Sequence, residues 1–173
     1  MSGRSSGTLR LTNLALLTTV ALIIFVIEAN LPPLTSIPGI KMGLANIVTL
    51  SVFYLFSQKD ALMVLLVRVI LGALASGQIM TLPYSLSGGL LCFCVCALLL
   101  PLFPLKRLCL LSVIGAIFHN IGQIIVAVVL TGTPEIIWYL PVLLISGTIS
   151  GFFTGYAAQS LLIHMDLLKI KKQ

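Results

Sequence analysis

Runs of about twenty apolar residues, broken only by short polar turns, recur along the whole of this chain, and no other feature limits its fold so strongly. A helix needs about 20 such residues to cross the hydrocarbon core of a bilayer, and irregular backbone cannot face lipid. Charged residues make up 8% of the chain against 59% hydrophobic. A soluble domain uses about 25% charged residues to cover its surface. Ten basic and four acidic side chains cannot cover an 18.5 kDa globule. A soluble enzyme, a disordered chain and a secreted disulfide scaffold are therefore excluded, and an integral membrane protein is expected.

The pattern predicts an all-α bundle of six transmembrane helices over residues 11–29, 38–57, 61–76, 84–103, 108–130 and 133–164. Residues 1–10 read as a tail, 11–165 as one membrane domain and 166–173 as a basic tail. Ser36 can cap the second helix with Pro38 in its first turn, and Thr133 and Pro134 can do the same for the sixth. The sixth is long for one span. Pro141 is expected to kink it, with Trp138 and Tyr139 at the interface. The first segment is too long, and lacks a convincing cleavage site, for a signal peptide, so a retained anchor is expected.

Six spans put both termini on one side, together with Arg4, Arg10, Lys59, Lys106, Arg107, Lys169, Lys171 and Lys172; the opposite loops hold Lys41. Such a bias makes the termini cytoplasmic in a bacterial cell membrane. The net charge of +6 thus reads as topology, since no basic stripe is present to follow phosphates. Cys92, Cys94 and Cys96 stand two apart, which is not metal or redox spacing, and with Cys109 they read as small apolar filler.

Polar groups inside spans are costly unless satisfied, so each marks a candidate site. On the fifth span Ser112, Gly115, Ala116, His119, Gly122 and Gln123 share one stripe, with Asn120 at its edge. A ligand face using His119, Asn120 and Gln123 competes with plain interhelical hydrogen bonding. Three such groups within five residues favour the site. Lys41 lies near Gly39 and Gly43 after a proline-rich loop, with Asn46 beyond. Lys41 either contacts an anion or snorkels to headgroups. Arg68, in the third span, either pairs with Glu28, meets an anionic ligand or faces a partner. Tyr84 and Ser85 open the fourth span beside Gly88 and Gly89. Gly147, Gly151 and Gly155 form a GxxxGxxxG packing seam, and Ala15 and Thr19 a shorter small-residue pair.

Catalysis is not expected. No phosphate loop is present, and the only aspartates, Asp60 and Asp166, cannot form the clustered carboxylates that hold magnesium against a diphosphate. No metal-ligand set and no cofactor are expected.

PGIKMGLANIVTL, Arg68, YSLSGG and HNIGQ together resemble the small bacterial membrane family labelled "Gx transporter" or "heptaprenyl diphosphate synthase component I". That family looks like the substrate-binding S components of energy-coupling factor (ECF) transporters. The resemblance implies six helices and capture of a small vitamin- or precursor-like molecule at the outer face. Lys41, Asn46, Tyr84, Ser85, His119, Asn120 and Gln123 would be binding positions, with Arg68 as a further candidate, and Ala15 and Thr19 would dock on a transmembrane T subunit driven by two ATPases. With aspartates too few for prenyl transfer, the transport implication is preferred. A noncatalytic membrane subunit of polyprenyl diphosphate or quinone synthesis is the alternative.

Overall fold

The computed structural model describes residues 2–30 and 44–170. Those residues form six α-helices: α1 (Ser2–Asn30), α2 (Asn46–Leu55), α3 (Gln58–Ala75), α4 (Leu82–Leu99), α5 (Leu108–Thr131) and α6 (Leu140–Ile170). Short 3-10 turns at Ile79–Thr81, Leu100–Leu102, Leu105–Arg107 and Pro134–Tyr139 join them. No strand occurs among the described residues.

Among the described residues, four segments are long and apolar enough to cross a membrane: Gly7–Glu28, Ile79–Leu102, Leu105–Thr131 and Pro134–Met165. The expectation of six is met to that extent. Helix α2 is ten residues long, and α3, at 18 residues, carries Lys59, Asp60 and Arg68. Residues 38–43 of the expected second span lie outside the described residues, as do Ser36, Pro38 and Lys41.

Two boundaries differ from expectation. Residues 2–10, expected as a tail, continue α1, because no proline interrupts them and an established helix propagates cheaply. Pro141 does not kink α6. The helix begins at Leu140, which places Pro141 in the first turn, where its missing N–H breaks no bond. Thr133 precedes the 3-10 turn without a side-chain cap.

Helix α3 shows how sequence fixes a face. Ala61, Val64, Leu65, Arg68, Val69, Gly72 and Ala73 are buried, a spacing of three and four that makes one stripe. Ser57 starts the helix with a capping box. Its hydroxyl accepts Asp60 N–H at 3.3 Å, and Asp60 Oδ2 accepts Ser57 N–H at 3.0 Å. Gly77, in the left-handed region at φ 66°, follows its end. Gly132 at φ 64° ends α5, its N–H bonding Val128 O at 2.9 Å.

The helices associate as two halves. In one, α1, α2 and α3 pack on one another; in the other, α5 is held between α4 and α6. Contacts of α2 with α6 and of α3 with α4 join the halves. Val52, Phe53, Ala61, Leu108, Leu111 and Leu162 form part of a continuous apolar core across the junction.

Candidate functional site

The fifth helix buries the stripe that its periodicity outlined: Ser112, Gly115, His119, Asn120, Gly122 and Gln123 are all buried. Close crossings on both sides explain why. A Cβ on Gly122 would stand 2.9 Å from Ser87 O, and one on Gly88 would stand 2.7 Å from His119 O. Backbones of α4 and α5 thus touch directly, and Ser87 Oγ donates to Gly122 O at 3.1 Å. The His119 ring lies in this crossing, in hydrogen-bonding contact with the Gly88 backbone, while its Nδ1 has no partner.

Asn120 faces the other way. Its Nδ2 donates to Leu143 O at 2.6 Å, and the amide occupies the space that a side chain on Gly147 would need. One turn and two turns further along α6, a Cβ on Gly151 would meet Ala116 Cβ at 2.8 Å and one on Gly155 would meet Ser112 Cβ at 2.5 Å. The glycine seam of α6 is therefore the surface on which α5 rests. Gln123 is buried, its Cγ 2.9 Å from where a Gly88 Cβ would be. In the first turns of α4, Ser85 is buried and Tyr84 half-buried. Ala15 and Thr19 lie exposed on α1, with Thr19 Oγ1 donating to Ala15 O at 2.9 Å.

A different set of residues surrounds a cavity between the two halves. Asn46, Thr49, Leu50 and Phe53 of α2 and Leu65 of α3 form one wall. Gly89, Cys92, Phe93 and Cys96 of α4 form the next; Ser112, Gly115 and Ala116 of α5, with Gly151 and Thr154 of α6, complete it. Its volume is about 20 Å³, room for about one water. Of the candidates seen in sequence, Asn46 lines it, and so do the small residues Gly115, Ala116 and Gly151. His119, Asn120, Gln123, Tyr84 and Ser85 do not.

Beside this cavity Arg68 is 3% exposed, and its Nη2 donates to Asn46 Oδ1 at 3.1 Å. The guanidinium Nε and the Thr49 hydroxyl, also buried, have no partner. Glu28 of α1 accepts Leu44 N–H at 3.1 Å and acts electrostatically on the same guanidinium, as does Cys92. Of the alternatives for Arg68, contact with Glu28's field and with Asn46 is the arrangement present. Ser112 and Thr154 share a hydrogen bond at 3.1 Å across α5 and α6.

Sequence reasoning missed Thr49, Thr154, Cys92 and Cys96 as lining residues. Thr49 stands three residues after Asn46, hence on the same helix face, which is a usable signal. Cys92 and Cys96, read as filler, both turn toward Gly115, where a Cβ would meet their sulfurs at 3.0 and 2.7 Å. Cys94 points outward, as its position on another face requires. Among the described residues, no group of three or more His, Cys, Asp or Glu is placed to hold a metal.

At the far end of the first half, Arg10 of α1 forms an ion pair with Asp60 of α3. Hydrogen bonds from the Arg10 guanidinium and then from Ser57 hold the Asp60 carboxyl below the usual carboxylate range.

No curated protein and no solved structure matches the chain, and the expected likeness to ECF S components is not shown by them. One family model does match, over residues 17–161, and its description is heptaprenyl diphosphate synthase component I. That span takes in all of α2 to α5, the second half of α1 and most of α6, including the cavity and both helix crossings. This match backs the alternative drawn from the sequence better than the transport preference. This chain belongs to the heptaprenyl diphosphate synthase component I family.

Proposed function

We propose that the chain is a noncatalytic, multi-pass membrane subunit that works with a separate synthase in making polyprenyl diphosphates for quinone-type lipids. The observation that carries this is the family match over residues 17–161 in a chain whose only aspartates are Asp60 and Asp166. Prenyl transfer needs carboxylates clustered around magnesium. A protein with this composition leaves that chemistry to a partner and contributes a membrane site for an apolar substrate or product. In this reading the chain crosses the bilayer six times, α2 being part of the span expected over residues 38–57 and the charged α3 being shielded by its neighbours, with both termini cytoplasmic.

Affinity purification of the tagged chain from its native membrane tests the proposal. A soluble, aspartate-rich prenyl synthase is the expected companion. Recovery of a large membrane subunit with two ATPases would replace the proposal with the second reading.

That second reading is the S component of an ECF uptake transporter, and one observation favours it. A cavity that Asn46, Thr49, Ser112 and Thr154 help to line sits between two packed halves of a bundle that has no nucleotide-binding motif. Here Lys41, Asn46 and Arg68 would contact the captured molecule; Tyr84, Ser85, His119, Asn120 and Gln123, binding positions on the same reading, stand outside the cavity's lining, and Ala15 and Thr19 would face the T subunit. Flux into liposomes that requires the ATPases would support it; binding without flux would not.

A further inference from the structure

Two thiols of α4 converge on a gap that α5 leaves open. Cys92 and Cys96 stand one helical turn apart and share a face, while Cys94 between them points outward. Both line the cavity between the two halves, and the two thiols act on one another. The gap exists because position 115 is glycine. A Cβ there would stand 2.7 Å from Cys96 Sγ and 3.0 Å from Cys92 Sγ, so both sulfurs reach toward one point. Among the described residues, no other atom of a neighbouring helix comes within 4 Å of that point. The cavity's volume of about 20 Å³, room for about one water, suits a single ion and no organic molecule. Cys96 is 1% exposed and Cys92 half-buried, so the pair is shielded without being sealed.

We infer that Cys92 and Cys96 bind one soft monovalent cation, copper(I), in the gap left by Gly115. Thiolate ligands select copper(I) over harder divalent ions. A metal–thiolate bond is about 2.3 Å long, so small side-chain rotations from the 2.7 and 3.0 Å already present would close it. Zinc takes four ligands, and the described residues place no third Cys, His, Asp or Glu beside this pair. Copper(I) is satisfied by two sulfurs in line. A disulfide is the competing use of two thiols, but it needs Cβ atoms about 3.5–4.5 Å apart, whereas residues one helical turn apart hold theirs at about 5–6 Å. On binding, each thiol gives up its proton as its bond to copper forms, and no electron changes hands. The complex of two thiolates and Cu⁺ is a monoanion. The Arg68 guanidinium, which acts electrostatically on Cys92 as well as Glu28, lies near it. Thr49 keeps an unpartnered hydroxyl in the wall of the same cavity, a donor for a thiolate. The inference is independent of the synthase-subunit reading.

The test uses the full-length protein in phosphatidylcholine nanodiscs, reduced and held without oxygen, with copper(I) supplied against the chelator bathocuproine disulfonate. One copper(I) per chain is expected, with a saturable rise in the unfolding midpoint and two sulfur neighbours per copper by X-ray absorption. Zinc(II) should leave the midpoint where it was. Cys92→Ala and Cys96→Ala should each abolish retention against the chelator, while Cys94→Ala and Cys109→Ala leave it intact. If Cys96→Ala does not fold, Cys92→Ala, at a half-buried position, decides. Gly115→Ala keeps all four cysteines and puts a methyl at the assigned point. The atoms it meets are side-chain ends that can turn aside, so the fold should hold while copper(I) affinity falls about tenfold or more. No copper(I) retained by the native chain, or equal retention in Cys92→Ala, would overturn the site. A loss in Cys94→Ala as large as in Cys92→Ala would overturn it too. Zinc(II) raising the midpoint as far as copper(I) would overturn the choice of ion, and unchanged affinity in Gly115→Ala the assigned position.

Discussion

Helices α4 to α6 meet backbone to backbone through glycines, whereas α1 to α3 meet mainly through side chains. In the first group Gly88 faces Gly122, and Gly147, Gly151 and Gly155 receive the surface of α5. In the second, Arg68 reaches Asn46 at one level and Arg10 reaches Asp60 at the other, with Phe25 lying over Gly72 one turn beyond Arg68. Backbone contact in lipid gains from dense van der Waals packing and leaves no room to shift. Long polar side chains hold helices at a distance that can change when a competing group arrives. The cavity lies where the two kinds of packing meet; Thr49, whose hydroxyl has no partner, lines it, and Arg68 stands beside it through its bond to Asn46.

Arg68 offers the sharpest way to break this contrast. Arg68→Met removes the cation facing Glu28 and strips Asn46 Oδ1 of its donor, which should cost about 3–5 kcal/mol, the range for breaking a buried charge pair. Denaturation in mild detergent measures it, and a loss below 1 kcal/mol would show that the first half does not depend on this tie. Next in size, Gly151→Val should cost about 1–3 kcal/mol, because its Cβ would come within 3.0 Å of Val113 Cα, and backbone cannot step aside. The same change at exposed Gly7, where a Cβ would touch nothing within 4 Å, serves as the control and should be nearly silent.

A smaller effect is expected at Asn120, which bonds Leu143 O at 2.6 Å from within the glycine-packed half. Asn120→Ala should cost about 0.6–2 kcal/mol, the range for an interhelical hydrogen bond in membranes. Denaturation in mild detergent measures it, and a loss below about 0.3 kcal/mol would show that this bond does not hold α5 to α6. The smallest effect belongs to Arg10 and Asp60. Arg10 is 54% exposed, so the pair contributes well under about 1 kcal/mol. Its pH dependence has a definite sign. The folded carboxyl titrates below its unfolded value, so the contribution is complete above about pH 4 and fades as pH falls through the lower, folded value. Asp60→Asn should abolish that acid-side loss in a melting series from pH 6 to pH 2.

Much of this was legible in the sequence, and the reason differs by residue. The long helices follow from hydropathy and length, and the burial of Ser112, His119 and Gln123 follows from a 3.6-residue period. The same period cannot say what a buried amide touches. Asn120 bonds a backbone carbonyl of Leu143, a partner that any residue type would supply, so no pattern announces it. Arg10 and Asp60 are 50 residues apart, and only the packing of α1 on α3 brings them together. Thr49 is one hydroxyl in an apolar run, and only the packing of α2 puts its unpartnered Oγ1 in a residue of the cavity wall. The early start of α1 and the harmless place of Pro141 show that boundaries follow local backbone economy, which hydropathy does not report.

The central claim is that this chain supplies a membrane seat and leaves the chemistry to a partner. Reconstitution measures it directly: polyprenyl chain elongation is followed in liposomes holding this protein, its co-purified soluble synthase, or both. Long-chain product should form with both together, and none with this protein alone. Elongation by this protein alone, or a synthase whose rate and product length are unaltered by its presence, would contradict the account.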